Sequence, residues 1–190
     1  MKRWLAVLIF LVGVGSAHAQ FAVYGMGSAG RLSRFNAIHP APVGGTNPVN
    51  SDGNFWAYGG TLGIYDDFLK LGPLKLGGDV RGFIQKSNNT NGAYENQLRG
   101  GLIGLRLALH APLVPVKPYI QAEVGGASTN YGQNASRTGN FAYQVQLGAD
   151  FTIFPHLDVR AEYGGGQLMG VLGSSTNSMQ QLGAGLVIRF

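Results

Sequence analysis

The chain has 190 residues, including 31 glycines and no cysteine, and its formal net charge at pH 7 is +5. The lack of cysteine excludes a disulfide-stapled domain and a thiol nucleophile. The basic excess is weak and contains no long run of Lys or Arg, which argues against a nucleic-acid partner.

Residues 1–19 have the parts of an export signal. A positive start at Lys2 and Arg3 is followed by an apolar stretch and by a small-x-small cleavage site that ends at Ala19. The apolar stretch is shorter than the about 20 residues that a membrane-spanning helix needs. We therefore predict a signal peptide over residues 1–19 and a single mature domain over residues 20–190.

Eight segments of the mature chain have the alternating pattern of β-strands. Each is near the about 9–11 residues that a tilted strand needs to cross a bilayer. The predicted strands cover residues 21–34, 54–65, 74–86, 95–109, 117–128, 141–153, 157–168 and 179–190.

The connectors between these strands alternate in length and composition. Those after the first, third, fifth and seventh strands are longer or rich in Gly, Asn, Ser and Thr, whereas those after the second, fourth and sixth are compact and contain proline. Bacterial outer-membrane barrels have long outer loops and short periplasmic turns. The pattern predicts an all-β fold, an eight-stranded antiparallel up-and-down transmembrane barrel, with extracellular loops and both termini in the periplasm.

Each predicted strand has one apolar face and one face of glycine and charged residues. In the last strand Leu182, Leu186 and Phe190 share a face, whereas Gly183 and Arg189 lie on the other. A soluble barrel would bury its apolar face and scatter polar residues over its outside. A glycine-rich face with few, clustered charges fits a cramped interior instead. We therefore predict that the apolar face contacts lipid.

Ten charged residues are predicted to face the lumen, and they balance in sign. They are Lys75, Asp79, Arg81, Arg106, Glu123, Asp150, Asp158, Arg160, Glu162 and Arg189. Because an unpaired buried charge costs several kcal/mol, these groups are expected to form an ion-pair network. The network is either a closed structural core or a gated constriction for small solutes or ions. The narrow interior of an eight-stranded barrel favours the closed core.

Aromatic residues cluster near both ends of the predicted strands, as expected for girdles at two membrane interfaces. The periplasmic girdle would contain Tyr24, Tyr65, Phe68, Tyr119, Phe151, Phe154 and Phe190. The outer girdle would contain Trp56, Tyr58, Tyr94, Tyr131, Phe141 and Tyr143.

Four cations fall at or above the predicted outer rim. They are Arg34, Lys86, Arg99 and Arg137. Guanidinium and ammonium groups at this depth either bind lipid phosphates or remain solvated loop charges, and the sequence leaves both interpretations open.

Residues 25–30 match the pattern G-x-G-x-x-G of dinucleotide-binding proteins. That pattern binds phosphate only where a helix follows within a βαβ unit, and here a proline-containing loop follows. The glycines are better interpreted as inward positions of the first strand.

The sequence offers few candidates for catalysis. His39, His110 and His156 lie in or beside connectors and are not at metal-ligand spacing. The rim serines lack the sharp-turn motif of a nucleophile elbow. We therefore predict no catalytic residues, no metal site and no cofactor.

The export signal, the eight amphipathic strands and the alternating last strand that ends at Phe190 resemble the small outer-membrane β-barrel family. This family includes the OmpA membrane domain and OmpX-like proteins. The resemblance covers residues 21–190 and is architectural. It implies that the barrel-assembly machinery reads the last strand, with Phe190 as an assembly signal, and that inward ion pairs stabilise the barrel. The peptidoglycan-binding domain of full-length OmpA has no counterpart, so we expect no tethering to the cell wall.

Four functional hypotheses follow. The first is an outer-membrane barrel, expected to be a monomer in the lipid, with a structural or surface-interaction role. The second is a porin-like pore, the third a membrane enzyme at the outer rim, and the fourth a soluble ligand-binding barrel. The expected partners are outer-membrane lipids and, during biogenesis, the barrel-assembly machinery.

Overall fold

Eight strands form one closed antiparallel barrel in the order of the sequence, each hydrogen-bonded to its neighbours and β1 to β8. The computed structural model describes residues 20–39, 49–88, 95–111, 114–130, 138–169 and 176–190. The strands are β1 (Gln20–His39), β2 (Val49–Leu71), β3 (Leu74–Asn88), β4 (Glu95–Leu109), β5 (Val116–Asn130), β6 (Thr138–Phe154), β7 (Leu157–Met169) and β8 (Thr176–Arg189). The predicted fold class is confirmed, while the predicted signal peptide lies outside the described residues.

The first and last described residues, Gln20 and Phe190, lie at one end of the barrel, which we call the terminal mouth. The tight connections at Gly72 and His156 lie at this end, and both residues adopt left-handed backbone angles, with φ of 64° and 71°. The barrel closes here through the amide of Phe190, which donates to the carbonyl oxygen of Phe21 at 2.8 Å. We call the opposite end, at which β1, β3, β5 and β7 end, the loop mouth.

Side chains alternate along every strand between an apolar outside and a polar inside. Leu62 is 72% exposed and Ile103 is 59% exposed, whereas Arg106 and Arg160 are fully buried. A continuous apolar outer surface of this extent is unusual for a soluble monomer and suits a hydrocarbon environment. Among the described residues none lies in a helix that is long and apolar enough to cross a membrane.

The observed strands extend further toward the loop mouth than the sequence predicts. β1 continues to His39 and β2 already begins at Val49, and the two strands pair from Phe35 to His39 beyond a register shift. The residue types in this extension mix polar and apolar without the strict alternation of the rest of the strands. The period-two pattern that marks a strand in the sequence is therefore weak there.

The glycines of the G-x-G-x-x-G segment do not all face inward, which corrects our prediction. Tyr24 and Met26 are buried in the lumen, so Gly25 and Gly27 between them face outward. Gly30 is an inward position, and a Cβ there would collide with the Gln85 side chain. The strand alternates strictly in this segment, and the glycine spacing is unrelated to its faces.

Three tyrosines assigned to the periplasmic girdle lie in the lumen instead, which is a second correction. Tyr24, Tyr65 and Tyr119 are buried. The rings of Tyr24 and Tyr119 lie over inward glycines of the neighbouring strands, Gly63 and Gly148, where any Cβ would meet the ring. Because Gly63 and Gly148 have no side chain, the two aromatic rings fit into the space above them.

The other described girdle residues are not buried. On the outer face of the barrel lie Phe68, Phe151, Phe154 and Phe190 near the terminal mouth, and Trp56, Tyr58, Phe141 and Tyr143 nearer the loop mouth. The two remaining girdle residues, Tyr94 and Tyr131, are not among the described residues.

Candidate functional site

The charged groups of the lumen form three layers that follow one another from the terminal mouth inward. On β7 the alternate residues Asp158, Arg160 and Glu162 mark the lower, middle and upper layers. All ten residues of the predicted network lie on the inner face. The layers contain Lys75, Lys117, Asp158 and Arg189 (lower), Asp67, Arg106, Asp150 and Arg160 (middle), and Asp79, Arg81, Glu123 and Glu162 (upper).

The middle layer is organised around the Asp150 carboxylate. Arg160 donates to it in a bidentate arrangement, Nε to Oδ1 at 2.7 Å and Nη2 to Oδ2 at 2.9 Å. Arg106 Nη2 donates to the same Oδ2 at 2.8 Å, and Arg106 Nη1 reaches Asp67 at 3.1 Å. Paired, charge-assisted contacts of this kind offset the cost of removing ions from water.

A cage of three tyrosine rings surrounds the two guanidinium groups of the middle layer. Arg106 Cζ lies 4.0 Å from the ring centroid of Tyr65 and 4.4 Å from that of Tyr119. Arg160 Cζ lies 4.3 Å from the Tyr24 ring centroid. Cation–π contacts at these distances stabilise a desolvated guanidinium by about 2 kcal/mol.

The tyrosine hydroxyls connect the middle layer to the upper one. Tyr24 donates to Asp79 and Tyr119 to Glu162, each at 2.9 Å. The cage therefore holds carboxylates as well as guanidinium groups in position.

The upper layer places one guanidinium among three carboxylates. Arg81 Nη1 lies 2.6 Å from Glu162, and Arg81 Nε lies 2.8 Å from Glu123 and 3.3 Å from Asp79. Gln146 completes the group, since it accepts from Arg81 and donates to Glu123 at 3.1 Å. The Arg81 side chain has no exposed surface, so packed side chains close the lumen at this level.

The lower layer is closer to solvent. Asp158 is fully buried and accepts from Lys117 Nζ at 3.1 Å and from Arg189 Nη2 at 2.9 Å. The side chains of Lys117 and Arg189 remain 13% and 16% exposed. This layer forms the floor of the terminal mouth.

Above the upper layer, toward the loop mouth, the inward side chains that the structure describes are uncharged. On one side, Gln181 donates to Thr61 at 3.0 Å and Gln85 donates to Ser28 at 3.2 Å. On the other side an apolar cluster of buried residues crosses the barrel. The cluster consists of Phe83, Leu98, Leu102, Ala127, Ala142, Leu168 and Met179.

The described residues give no sign of a catalytic or metal centre. No group of three or more His, Asp or Glu in the described part of the chain is arranged to hold a metal. His110 and His156 lie in connectors at the terminal mouth, and the His39 side chain lies outside the described residues. Burial, together with Lys75 and other nearby cations, lowers the pKa of His110 to about 4, so this imidazole is neutral at pH 7.

The structure describes two of the four predicted rim cations. Lys86 and Arg99 are exposed on the outer face, and Arg99 donates to Ser128 at 3.3 Å. Arg99 borders a shallow depression of about 450 Å³ that also contacts Gly126 and Phe141. The Arg34 side chain and Arg137 lie outside the described residues.

Two charged residues of the lumen, Asp67 and Lys117, are not among the ten predicted from the sequence. Asp67 lies just past the predicted end of the second strand, at a register shift in the pairing of β2 with β3. Lys117 was inside a predicted strand and alternates with Tyr119 and Glu123, so its inward position could have been predicted from that alternation.

A closed eight-stranded barrel with an apolar exterior and a packed, ionic lumen defines a small transmembrane β-barrel. The family model for the outer membrane protein beta-barrel domain matches residues 5–190, and the chain belongs to that family. The family expected from the sequence is confirmed, and the chain is an outer-membrane barrel of the bacterial type. No curated protein sequence matches the chain.

Several solved structures are similar to this chain over most of its length. Neisserial surface protein A superposes with a TM-score of 0.63 at 18% identity, over 91% of this chain and 99% of that one. The outer membrane enzyme PagL gives 0.50 at 12% identity, over 90% and 99%. Ail, the attachment invasion locus protein of Yersinia pestis, gives 0.48 at 15%, over 89% and 99%. At these identities the likeness shows the fold alone.

Proposed function

We propose that this barrel is a closed, non-catalytic outer-membrane protein with a structural or surface-interaction role. The observation that carries the proposal is the complete burial of Arg81, Arg106 and Arg160, stacked across the lumen between carboxylates and tyrosine rings. The apolar cluster toward the loop mouth adds a second obstruction. A conducting path would have to separate both groups of side chains.

A porin-like pore is the second candidate, and one observation favours it. Arg81 Nη2, Arg106 Nε and Arg160 Nη1 are buried without a hydrogen-bond acceptor. A network with unused donors has alternative pairings available, and a rearrangement among them is the kind of motion that a gate requires. The closed barrel remains the favoured proposal, because opening the lumen would have to separate the apolar cluster as well as the ion pairs.

The proposal predicts that the refolded wild-type barrel passes no steady current across a planar lipid bilayer. The physical reason is that the side chains of the three arginines have no exposed surface, so ions would have to cross a buried, charged layer. A general porin in the same bilayer serves as the positive control. Stable channels of porin size from the wild type, changed by Arg106→Ala or Glu123→Ala, would support the pore instead.

We further propose that the loop mouth faces the cell exterior and the terminal mouth the periplasm. The compact turns at Gly72 and His156 support this orientation, because short turns are found on the periplasmic side of bacterial barrels. An epitope inserted between residues 170 and 175 should then be labelled by antibody on intact cells. Labelling only after the outer membrane is permeabilised would reverse the orientation.

The proposed partners are outer-membrane lipids around a monomeric barrel, with Lys86 and Arg99 near lipid phosphates, and the assembly machinery during biogenesis. Phe190 is proposed as the assembly signal: its ring is 72% exposed beside Phe21, at the β1–β8 junction. Deleting Phe190 should reduce membrane insertion in cells more than refolding in detergent. Equal losses in both assays would mean that Phe190 acts only through barrel closure.

A further inference from the structure

Three glycines form a row across the outer face of the barrel. Gly82, Gly101 and Gly126 are paired in register on β3, β4 and β5, and all three are exposed. Within 4 Å, a Cβ at any of them would meet only a main-chain oxygen of the described residues, at 3.8 or 3.9 Å. Packing within the described barrel therefore does not require glycine at these positions, and the row lies open to its surroundings.

Outward side chains on both sides of this row make it the floor of a groove, which we call the glycine groove. The walls are the neighbouring outward residues of the same strands, Val80, Ile103 and Val124 toward the terminal mouth, and Ile84, Arg99 and Ser128 toward the loop mouth. Phe141, the partner of Gly126 on β6, closes one end and is 51% exposed. The depression of about 450 Å³ that Arg99 borders lies at this end. Because alternate residues of a strand are roughly 6.6 Å apart, the floor is wide enough for one extended hydrocarbon chain.

The glycine groove lies at the boundary between the apolar outer surface and the polar rim. On β4 the outward residues from Ile103 to Leu109 are exposed and aliphatic, and Arg99 is the first outward charge toward the loop mouth. Arg99 Nε donates to Ser128 Oγ at 3.3 Å, which holds the guanidinium group at the edge of the groove. An apolar floor and a cation therefore lie side by side.

An amphipathic anion is complementary to this arrangement. A guanidinium group pairs with phosphate through charge-assisted hydrogen bonds, and the floor and the Phe141 ring offer apolar contact to a chain. A second copy of the chain fits less well. A symmetric dimer through this face would bring the two copies of Arg99 toward each other, and like charges in contact oppose association.

We propose that the glycine groove is a binding site for a membrane lipid with an anionic phosphate headgroup. One acyl chain would lie over Gly101 and Gly126 against the Phe141 ring, and Arg99 would donate to the phosphate. This inference rests on the proposed function, because it requires an outer face in lipid with Arg99 near phosphates. It adds a defined place for the chain and a preference for one class of headgroup.

Native mass spectrometry of the refolded barrel tests the site. The barrel in a non-ionic detergent is mixed with equal amounts of phosphatidylglycerol, which is anionic, and phosphatidylcholine, which is zwitterionic, with identical acyl chains. We expect the first bound lipid to show about a fivefold preference for phosphatidylglycerol, and later bound lipids to show little. Equal binding of the two lipids at the first position would overturn the site. It would leave the closed barrel standing, because conductance tests that proposal separately.

Filling the groove should remove the site without disturbing the barrel. Gly126→Leu is expected to weaken binding of the first phosphatidylglycerol about tenfold. Gly27→Leu is the matched control, because Gly27 is an exposed outward glycine of β1 whose Cβ would also meet only a main-chain oxygen, at 3.9 Å. It should bind this lipid as the wild type does. Folding of both variants is checked by the change in gel migration on heating. Equal losses in the two variants, or no loss in Gly126→Leu, would overturn the site.

Arg99→Gln separates the headgroup from the chain. This variant should still bind a first lipid, but phosphatidylglycerol and phosphatidylcholine should bind equally. Arg31→Gln is the matched control, because Arg31 is an outward cation on β1, paired with Trp56 and three strands away from Arg99. It should keep the preference. Equal effects of the two substitutions would indicate general attraction to a basic protein. A dimer that Gly126→Leu dissociates would assign the groove to a second copy of the chain, and either result overturns the proposal.

Discussion

Replacing Asp150 by asparagine is expected to lower the free energy of unfolding by about 3–5 kcal/mol, the range found when one partner of a buried ion pair is removed. Asp150 accepts three hydrogen bonds from two guanidinium groups that have no exposed surface. Asparagine keeps the shape but loses the charge and one acceptor oxygen. Arg160 would then remain buried with tyrosine rings as its main neighbours.

The measurement is urea unfolding in phospholipid vesicles, followed by the fluorescence of Trp56 on the outer face. Lys70→Gln is the control, because Lys70 is exposed near the terminal mouth and is not a member of the three layers, and its effect should stay within about 0.5 kcal/mol. Adding Arg160→Met to Asp150→Asn should cost less than the two single effects combined, since both members of the pair are then gone. An Asp150→Asn barrel as stable as the wild type would show that the network contributes little to folding.

The faces of the strands could be predicted from the sequence because alternation is a local property. Along β4 the observed bounds, Glu95–Leu109, coincide with the predicted segment. From Leu98 to Ala108 each inward position is a small residue, Arg106 or a leucine of the apolar cluster. The outward side chains from Ile103 to Leu109 are exposed and aliphatic. A one-residue error would place Arg106 in lipid, so the pattern determines the face without ambiguity.

The contacts within the lumen could not be predicted in the same way. Which side chains meet depends on register and strand tilt, which bring residues distant in sequence to one level of the barrel. Asp150 faces Arg160 directly across the β6–β7 pair, but its other partner, Arg106, comes from β4 on a different side of the lumen. The inequality of charge between layers follows from the same geometry. Counting the inward charged residues in the sequence gives the totals of positive and negative groups, but not the layer in which each group lies.

The tyrosines show how a general expectation can mislead. Aromatic residues near strand ends suggested an interfacial girdle, and for Phe151 and Phe154 an outward position is observed. Tyr119 is as far from the end of its strand as Phe151 is, but it alternates with the inward residues Lys117 and Gln121. The position of a residue along the strand indicates its depth in the membrane, whereas its place in the inward–outward alternation determines its face. The alternation is the stronger constraint, because a strand cannot turn one side chain to the opposite face.

Replacing Leu147 by arginine is expected to cost about 2–4 kcal/mol of unfolding free energy in a bilayer, the penalty for a cation on the lipid face near the midplane. Leu147 is 59% exposed and lies in the middle of the outward row of β6. On a protein surrounded by water, an exposed leucine replaced by arginine would be almost neutral. The sign and size of the change in unfolding free energy therefore test whether the apolar outer surface of the barrel lies in lipid.

Leu71→Arg is the matched control, because Leu71 has nearly the same exposure but ends β2 at the terminal mouth. At that interfacial depth the same substitution should cost only about 0–1 kcal/mol. Both variants are unfolded by urea in vesicles and compared with the wild type. Depth is the main difference between the two leucines, so a larger loss at Leu147 reports the hydrocarbon around β6. Equal effects at both positions would mean that this face does not lie in lipid, and the assignment of inside and outside would fail with it.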